Sequence, residues 1–251
     1  MDWYLVSSQL YFTINLEEIF YFNNKKCRIY AVFGVSQTPK YNQEEKEEKM
    51  IPELRENTNT VIFDIGNVLI YFAWKEYLES LGFSEETTKH VADAMFCNKD
   101  WDAGDSGLVT TEEWLQLFIE NDPAYEKEIR TTFAGFGASI VPFPFIEEWF
   151  AYFREKGMKL YYLSNYSDEM FRQSEEKLAF LKSFDGGVFS WQEKCMKPDS
   201  KIYQILLDRY NIDPKHTVFF DDRVANVEAA EKFGIQGILF HTDIPLQMMG
   251  K

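Results

Sequence analysis

The stretch VIFDIGNVLI, residues 61–70, holds one carboxylate inside an otherwise apolar run. Residues 61–63 are typical of a buried parallel strand, and Asp64 closes that strand. Gly66 and Asn67 then break the extended pattern before the apolar run resumes. A lone acid at the end of a buried strand is placed at the edge of a sheet, so Asp64 is the starting point for both the fold and the site.

The composition limits the classes of partner. The chain has 251 residues and a formal net charge of -15, which argues against nucleic acid and anionic membranes, since both are polyanions. A small phosphate ester can still bind if one pocket is locally positive or carries a metal. No apolar run approaches the ~20 residues of a membrane span. The three cysteines are scattered without a CxxC pair, which favours the reducing cytoplasm.

Beyond about residue 60 the pattern alternates between strands and helices. Apolar, strand-like runs are followed by amphipathic stretches, which predicts βαβ units and one parallel sheet. After the first strand, the strand-like runs cover residues 158–165, 186–190, 216–222 and 235–240. The helical stretches cover residues 145–156, 168–181, 198–210 and 225–233.

Polar residues stand at the ends of several of these elements. Ligands of open parallel sheets bind beyond the carboxyl ends of the strands, so polar residues at those ends are expected to converge on one crevice. Lys197 is placed differently, since it precedes Pro198 at the expected first turn of a helix. The polar residues in question are Asp64, Ser164, Asn165, Lys197, Asp221 and Asp222.

Residues 73–142 do not follow this rhythm. They are helical in character and contain no strand-like run, which predicts a helical cap inserted into a core formed by residues 57–72 and 143–251. Within the cap, the stretch DAGDSG (residues 102–107) is expected to be a turn leading into a helix that starts at Thr111. It lacks the Glu at position twelve that an EF-hand calcium loop would need.

Residues 1–56 form a predicted N-terminal extension, either a small subdomain or a disordered segment. It is rich in aromatic residues, without clear periodicity, and ends near the charged run EEKEEK (residues 44–49). Glu and Lys codons can be all purine, so this run before Met50 also fits a translated ribosome-binding site. Residues 1–49 are therefore either native or not part of the working protein.

Four motifs together resemble the haloacid dehalogenase (HAD) superfamily, subfamily IA. They appear in the family's order as FDIGNVL (63–69), LSN (163–165), MKPD (196–199) and FFDDRVANVEAA (219–230). This resemblance implies an α/β fold: a Rossmann-like parallel sheet with an inserted helical type-1 cap. Within the superfamily, the chain looks most like the branch containing α-D-glucose-1-phosphate phosphatases. This closer resemblance lies in the sequences of the first motif, of WDAGDSGLVTTEEW (101–114) and of MKPDSKIY (196–203).

The resemblance implies a Mg²⁺-dependent phosphatase acting on a small phosphate ester such as a sugar phosphate. A carboxylate nucleophile attacks phosphorus and forms an aspartyl-phosphate, which splits hydrolysis into two easier steps. Mg²⁺ prefers oxygen ligands. The implied roles are Asp64 and Lys197 in catalysis, Ser164, Asn165 and Lys197 in substrate binding, and Asp64, the Gly66 carbonyl, Asp222 and Asp221 around the metal. The protein is expected to be a monomer or homodimer.

Gly66 departs from the pattern of most phosphatases in the superfamily. Those enzymes carry a second Asp two residues after the nucleophile, where it serves as general acid and base. The sugar-1-phosphate branch resembles this chain in the substitution. The source of the proton is left open: the departing oxygen takes it from water or from a cap residue, or leaves as an anion.

Two other functions compete with the phosphatase. A dehalogenase would use Asp64 to attack carbon and would need no metal, whereas a regulatory module would bind phosphate without turnover. Each motif also has an ordinary structural explanation. Asp64 could be a turn residue, the Ser164–Asn165 pair could cap the helix at Asp168, and Asp221–Asp222 could cap the last long helix.

Overall fold

The structure is a computed structural model and describes residues 52–251. The predicted N-terminal extension of residues 1–56 lies outside the described residues except for residues 52–56.

A five-stranded parallel sheet forms the centre of the fold, in the strand order β5-β4-β1-β6-β7. A second sheet pairs β2 with β3 in antiparallel fashion. In chain order the strands are β1 (Thr60–Phe63), β2 (Ile70–Phe72), β3 (Ile140–Pro142), β4 (Lys159–Ser164), β5 (Gly186–Phe189), β6 (Thr217–Asp221) and β7 (Gln236–Leu239).

Helices connect the strands of the central sheet and fill the insertion between β2 and β3. The α-helices are α1 (Trp74–Ser80), α2 (Glu85–Met95), α3 (Trp101–Ser106), α4 (Thr111–Asn121), α5 (Glu126–Gly135), α6 (Ile146–Glu155), α7 (Asp168–Ser174), α8 (Ser190–Glu193), α9 (Ser200–Tyr210), α10 (Val224–Glu231) and α11 (Ile244–Met248). Short 3-10 turns cover Pro123–Tyr125, Phe136–Ser139, Ala179–Ser183 and Pro214–His216. Among the described residues no helix combines the length and the apolar character that crossing a bilayer requires.

Strand β1 is buried on both faces, which explains its unbroken apolar sequence. Successive side chains of a strand point to opposite faces. Phe63 packs on one face, with its ring centroid 4.9 Å from that of Trp149 in α6 and 5.7 Å from that of Phe220 in β6. Ile62 belongs to the cluster on the other face, together with Tyr203 of α9. The predicted α/β fold with a Rossmann-like parallel sheet is confirmed.

Helices α1–α5 lie between β2 and β3, as the sequence predicts for an inserted helical cap. The expectation that residues 73–142 contain no strand is wrong, because β3 covers Ile140–Pro142. Their apolar faces bury an aromatic cluster that includes Trp114, Phe118 and Phe133. The pairing of Ile70 with Pro142 brings the two ends of the insertion together. The boundaries of a separate cap domain at residues 73 and 142 stay a prediction.

The stretch DAGDSG is not the predicted turn, because residues 102–106 belong to helix α3. Gly104 allows this helix to lie against the Trp114 ring, where a Cβ would come within 2.3 Å. Gly107 ends α3 in the left-handed conformation. Helix α4 does begin at Thr111, with Thr110 and Glu113 forming a capping box.

The predicted helix over residues 168–181 is also shorter than expected, because α7 ends at Ser174. The Ser174 hydroxyl donates to the carbonyl of Met170 at 2.6 Å and lies 3.0 Å from the hydroxyl of Tyr166. A serine that bonds back to the preceding turn weakens helix continuation. The chain resumes as the 3-10 turn Ala179–Ser183.

We expect Gly107→Ala to destabilise the protein more than Gly82→Ala. Both glycines have left-handed backbones, with φ of 64° and 69°, which adds about 1–2 kcal/mol for a residue with a Cβ. At Gly107 a Cβ would also come within 2.3 Å of the Trp191 backbone, whereas at Gly82 it meets nothing within 4 Å. Overpacking adds about 1–3 kcal/mol. Urea unfolding of both variants measures the difference, and equal losses would show that α3 does not depend on close contact with Trp191.

Candidate active site

The sheet order brings three strand ends together. β1 lies between β4 and β6, with Phe63 in register with Tyr162 on one side and Phe220 on the other. Because all three strands are parallel, Asp64, Ser164 and Asp221 reach the same edge of the sheet. The predicted convergence of these polar residues is observed.

Lys197 lies between two of the acids. Its ammonium nitrogen is 2.8 Å from Oδ1 of Asp64 and 2.7 Å from Oδ2 of Asp221. The Lys197 side chain is 0% exposed, and those of Asp64 and Asp221 are 9% and 0% exposed. Buried charges of this kind need compensating partners, so Lys197 is a required part of the acidic site and not a surface lysine.

Asp64 is held at one of its two carboxylate oxygens. Oδ1 accepts hydrogen bonds from the Ile65 amide at 2.7 Å and from the Ser164 hydroxyl at 2.8 Å, and it contacts Lys197. None of these three contacts uses Oδ2. The carboxylate is thus fixed in orientation while one oxygen stays clear of these groups.

Asn165 holds the backbone of Lys197. Its Oδ1 accepts from the Lys197 amide at 2.8 Å, and its Nδ2 donates to the Lys197 carbonyl at 3.0 Å. This pair of bonds links the loop after β4 to the loop that carries the lysine. The structure therefore gives Asn165 a positional contact, and the predicted contact with substrate stays a prediction.

The two adjacent acids have different surroundings. Asp221 accepts from the Arg223 amide at 2.8 Å and, at both oxygens, from Nδ2 of Asn226 at 3.0 Å, in addition to its contact with Lys197. Asp222 is partly exposed and accepts from Nδ2 of Asn67 at 3.2 Å. Asp222 therefore has more free oxygen capacity for a ligand than Asp221.

The simple capping explanations do not describe these residues. The N-cap of α7 is Ser167, whose side chain accepts from the Met170 amide, so Ser164 and Asn165 are not its cap. Helix α10 has Arg223 at its N-cap position, without a side-chain cap bond.

Burial and crowding shift the titration of the acids and of Lys197. Burial raises the pKa of Asp64 to about 7, although the charge of Lys197 opposes this, and Asp221 and Asp222 add to the increase. Burial likewise raises the pKa of Asp222, with Asp221 contributing. For Lys197, burial acts to lower the pKa, but the charges of Asp221 and Asp64 and their hydrogen bonds raise it. The site favours states in which its negative charge is reduced.

A divalent cation fits this donor set. Asp64, Asp221 and Asp222 each offer an oxygen, and these oxygens lie within 4.8 Å of one another. Three carboxylates face one buried lysine, and hard oxygen ligands suit Mg²⁺. The donor chemistry thus agrees with the predicted metal site, while the contribution of the Gly66 carbonyl stays a prediction.

Three residues near the site were not predicted from the sequence. Asn226 lies five positions after Asp221, where the first turn of α10 points it back at the strand end. Asn67, in the loop after β1, reaches Asp222. The spacing of these two residues from the acids was an available signal. Asp105 of α3 lies within range of the charges of Asp64 and Lys197. The sequence carried no signal for this, because the position of Asp105 depends on how α3 packs in the fold.

Comparisons with known proteins agree with this geometry. A family model described as haloacid dehalogenase-like hydrolase matches residues 58–234. The chain is 34% identical over 190 residues to a phosphorylated carbohydrates phosphatase of Thermotoga maritima, covering 71% of this chain and 82% of that protein. It is 24% identical over 177 residues to a sesquiterpene phosphatase of Aspergillus oryzae, covering 70% and 87%.

Solved structures share the fold at lower identity. A HAD family enzyme from Bacteroides thetaiotaomicron superposes with a TM-score of 0.59 at 22% identity, covering 78% of this chain and 100% of that chain. The L-2-haloacid dehalogenase of Xanthobacter autotrophicus superposes with a TM-score of 0.52 at 15% identity, covering 74% and 80%. These likenesses show the fold alone, whereas the two relatives named as phosphatases confirm the prediction of a phosphoric monoester hydrolase.

We expect Lys197→Met to lower the free energy of unfolding by about 3–5 kcal/mol at pH 8, because removing one partner leaves buried carboxylates uncompensated. The loss should shrink at pH 5. Carboxyl groups whose pKa is raised in the folded state take up protons as the pH falls, and their neutral forms need no counter-ion. Urea unfolding of the metal-free protein at both pH values measures this, with the exposed Lys201→Met as control. A loss that does not depend on pH would contradict the charge explanation.

Proposed function

Because the chain belongs to the haloacid dehalogenase-like hydrolases, we propose that it is a Mg²⁺-dependent phosphatase of a small phosphorylated metabolite. The reaction proceeds through an aspartyl-phosphate on Asp64. The observation that carries this proposal is the geometry of Asp64. Its carboxylate is buried and fixed at Oδ1 by Ser164 and Lys197, next to two further acids.

In the first step, an oxygen of Asp64 attacks phosphorus and the bond from phosphorus to the leaving oxygen breaks. In the second step, water attacks phosphorus of the aspartyl-phosphate, which releases inorganic phosphate and restores Asp64. Phosphoryl transfer depends mainly on positioning and on stabilising the oxygen charges. Lys197 and the Ser164 hydroxyl are the donors that stand beside Asp64 to bind phosphate oxygens.

Asp64 and Asp222 would hold Mg²⁺, together with the Gly66 carbonyl and with Asp221 adjacent. When bound, the ion would neutralise part of the charge on the phosphate oxygens. The unequal surroundings of the two acids support this assignment, because Asp221 is already bonded to Lys197, Arg223 and Asn226. The Bacteroides enzyme of the same fold has been crystallised with magnesium and inorganic phosphate.

A phosphorylated carbohydrate is the proposed substrate class. The support is the name of the Thermotoga relative, a phosphorylated carbohydrates phosphatase. The motifs around Asp64 and Lys197 resemble the branch of α-D-glucose-1-phosphate phosphatases, so a sugar 1-phosphate is the first candidate within this class.

Turnover of a generic aryl phosphate with and without Mg²⁺ distinguishes the three functions considered from the sequence. Mg²⁺-dependent release of phosphate supports the phosphatase. Chloride release from a 2-chloro acid without metal would support the dehalogenase, and phosphate binding without either reaction would support a regulatory module. A panel of sugar 1-phosphates and sugar 6-phosphates then tests the substrate class.

We expect Asp64→Asn to reduce kcat by at least about 10³-fold, because the amide cannot act as the nucleophile. The amide has almost the same size and is neutral, so the protein should stay folded. Phosphate release measures the rate, and thermal unfolding checks the fold. A variant that keeps near-normal rates would contradict covalent catalysis at this residue.

Chelation should abolish turnover, and Asp222→Ala should raise the Mg²⁺ concentration needed for half-maximal activity by at least about 10-fold, since it removes one of few ligand oxygens. Mg²⁺ titrations of both proteins provide the measurement. Asp208→Ala, which removes an exposed acid from α9, serves as the control and should leave the Mg²⁺ requirement unchanged. Full activity in excess chelator would argue against a metal.

A further inference from the structure

This inference rests on the proposed phosphatase function and concerns the proton that the leaving oxygen needs. Gly66 has no side chain to supply it. A Cβ added at Gly66 would meet nothing within 4 Å, so the fold does not exclude a larger residue at this position. A proton donor, if the protein has one, must come from another element that faces Asp64.

Helix α3 is bonded to the core next to the site. The buried Ser190 hydroxyl donates to the carbonyl of Asp105 at 2.6 Å. The Oγ of Ser190 also accepts a hydrogen bond from the Tyr166 amide at 3.0 Å, and Tyr166 is two residues beyond Ser164. One hydroxyl thus joins the backbone of Asp105 to the loop that positions Ser164 against Asp64.

Three more contacts fix α3 in this place. The Lys194 ammonium donates to the carbonyl of Gly107, and Gly107 lies so close to the Trp191 backbone that an added Cβ would come within 2.3 Å of it. On the cap side, Gly104 packs against the ring of Trp114. Helix α3 is therefore held both by another helix of the insertion and by residues of the core.

The carboxyl group of Asp105 lies within range of the charges of the site. Asp64, Lys197 and Arg223 all lie close enough for their charges to act on it, as does Asp102 of the same helix. Asp105 is partly buried. Within residues 52–251 the carboxylate oxygens of Asp105 form no hydrogen bond or ion pair, in contrast to those of Asp64, Asp221 and Asp222.

We propose that Asp105 is the general acid and base of the reaction, in place of the carboxyl group that position 66 lacks. In the first step, Asp64 bonds to phosphorus, and the leaving oxygen departs with the proton of the Asp105 carboxyl. In the second step, a water molecule bonds to phosphorus, its proton passes to the Asp105 carboxylate, and the bond between phosphorus and Asp64 breaks. The products are the free alcohol and inorganic phosphate, and both side chains return to their starting state.

The charge environment agrees with this role. Burial raises the pKa of Asp105 to about 7, with Asp102 and Asp64 adding to the increase and Arg223 and Lys197 opposing it. A group that acts as both general acid and general base is most effective when its pKa lies near the working pH. At neutral pH this carboxyl therefore holds its proton in a large share of the molecules and can release it.

Asp105→Asn tests the proposal on a series of phosphate monoesters, from an aryl ester with an acidic leaving group to an alkyl ester. A general acid contributes about 10²–10⁴-fold when the leaving group is poor. We expect a loss of that size in kcat/KM for the alkyl phosphate and a loss below about 10-fold for the most acidic aryl phosphate. The control is Asp93→Asn, which changes an exposed acid of α2 in the same insertion and should leave the series almost unchanged.

A second carboxyl at position 66 should rescue the defect. The double variant Asp105→Asn/Gly66→Asp places an acid two residues after Asp64, where the structure has open space. We expect it to recover at least about 10-fold of the lost alkyl phosphatase activity relative to Asp105→Asn. If Asp105 only supported the structure, a change at position 66 would not recover the activity lost in Asp105→Asn.

The outcomes separate this inference from the proposed function. An equal loss of kcat/KM across the whole series, or no loss with the alkyl ester, would overturn the role of Asp105 while the wild-type enzyme stayed a phosphatase. A wild-type protein without Mg²⁺-dependent phosphate release would overturn both.

Discussion

The buried contact of Lys197 with Asp64 and Asp221 is the constraint on which the rest of the site depends. An ionised carboxylate is strongly disfavoured away from water unless a charge or hydrogen bonds compensate it. Lys197 supplies that charge from a loop that is distant in sequence from both acids, 2.8 Å from one and 2.7 Å from the other. The amide of Asn165 fixes the backbone of this loop at both its N–H and its carbonyl. The strand ends provide the acids, and the loop interactions determine where the balancing charge lies.

The same balance explains why the adjacent acids differ. Asp221 is saturated by Lys197, the Arg223 amide and Asn226, so it serves to hold the lysine and the start of α10. Asp222 is partly exposed, with Asn67 as its hydrogen-bond donor. One lysine cannot neutralise Asp64, Asp221 and Asp222 together, and burial raises the pKa of both Asp64 and Asp222. The remaining charge is reduced either by protons or by a cation. Three carboxylate oxygens beside one lysine are a donor set that suits a divalent cation.

The strands of the core and the helical character of the insertion were largely predictable from sequence, but helix α3 within the insertion was not. Residues 61–63 and their counterparts in β4 and β6 are short apolar runs bounded by polar residues, so their strands and the convergence of Asp64, Ser164 and Asp221 follow from local pattern and parallel topology. Helix α3 has no comparable signal. Its six residues include Gly104 and two acids, a composition typical of a turn, and it is stabilised by Trp114 and by residues around Ser190 that are far away in sequence. Tertiary packing overrides propensity in such a segment, which is why the sequence did not indicate that Asp105 lies within range of the charge of Asp64.

The proposed reaction divides the work between the two parts of the protein. The groups proposed to hold the phosphate and to attack phosphorus stand on the central sheet and its loops, whereas the proposed proton donor stands on an inserted helix. The leaving group of the substrate therefore has to face α3 when phosphorus faces Asp64. Only a substrate that places its leaving oxygen within reach of Asp105 gains the proton transfer, which for a poor leaving group is worth about 10²–10⁴-fold in rate. Selectivity then arises in the transition state and not only in binding. The Ser190 hydroxyl, which bonds to the backbones of Asp105 and Tyr166, connects the helix that carries the proposed acid to the loop after Ser164.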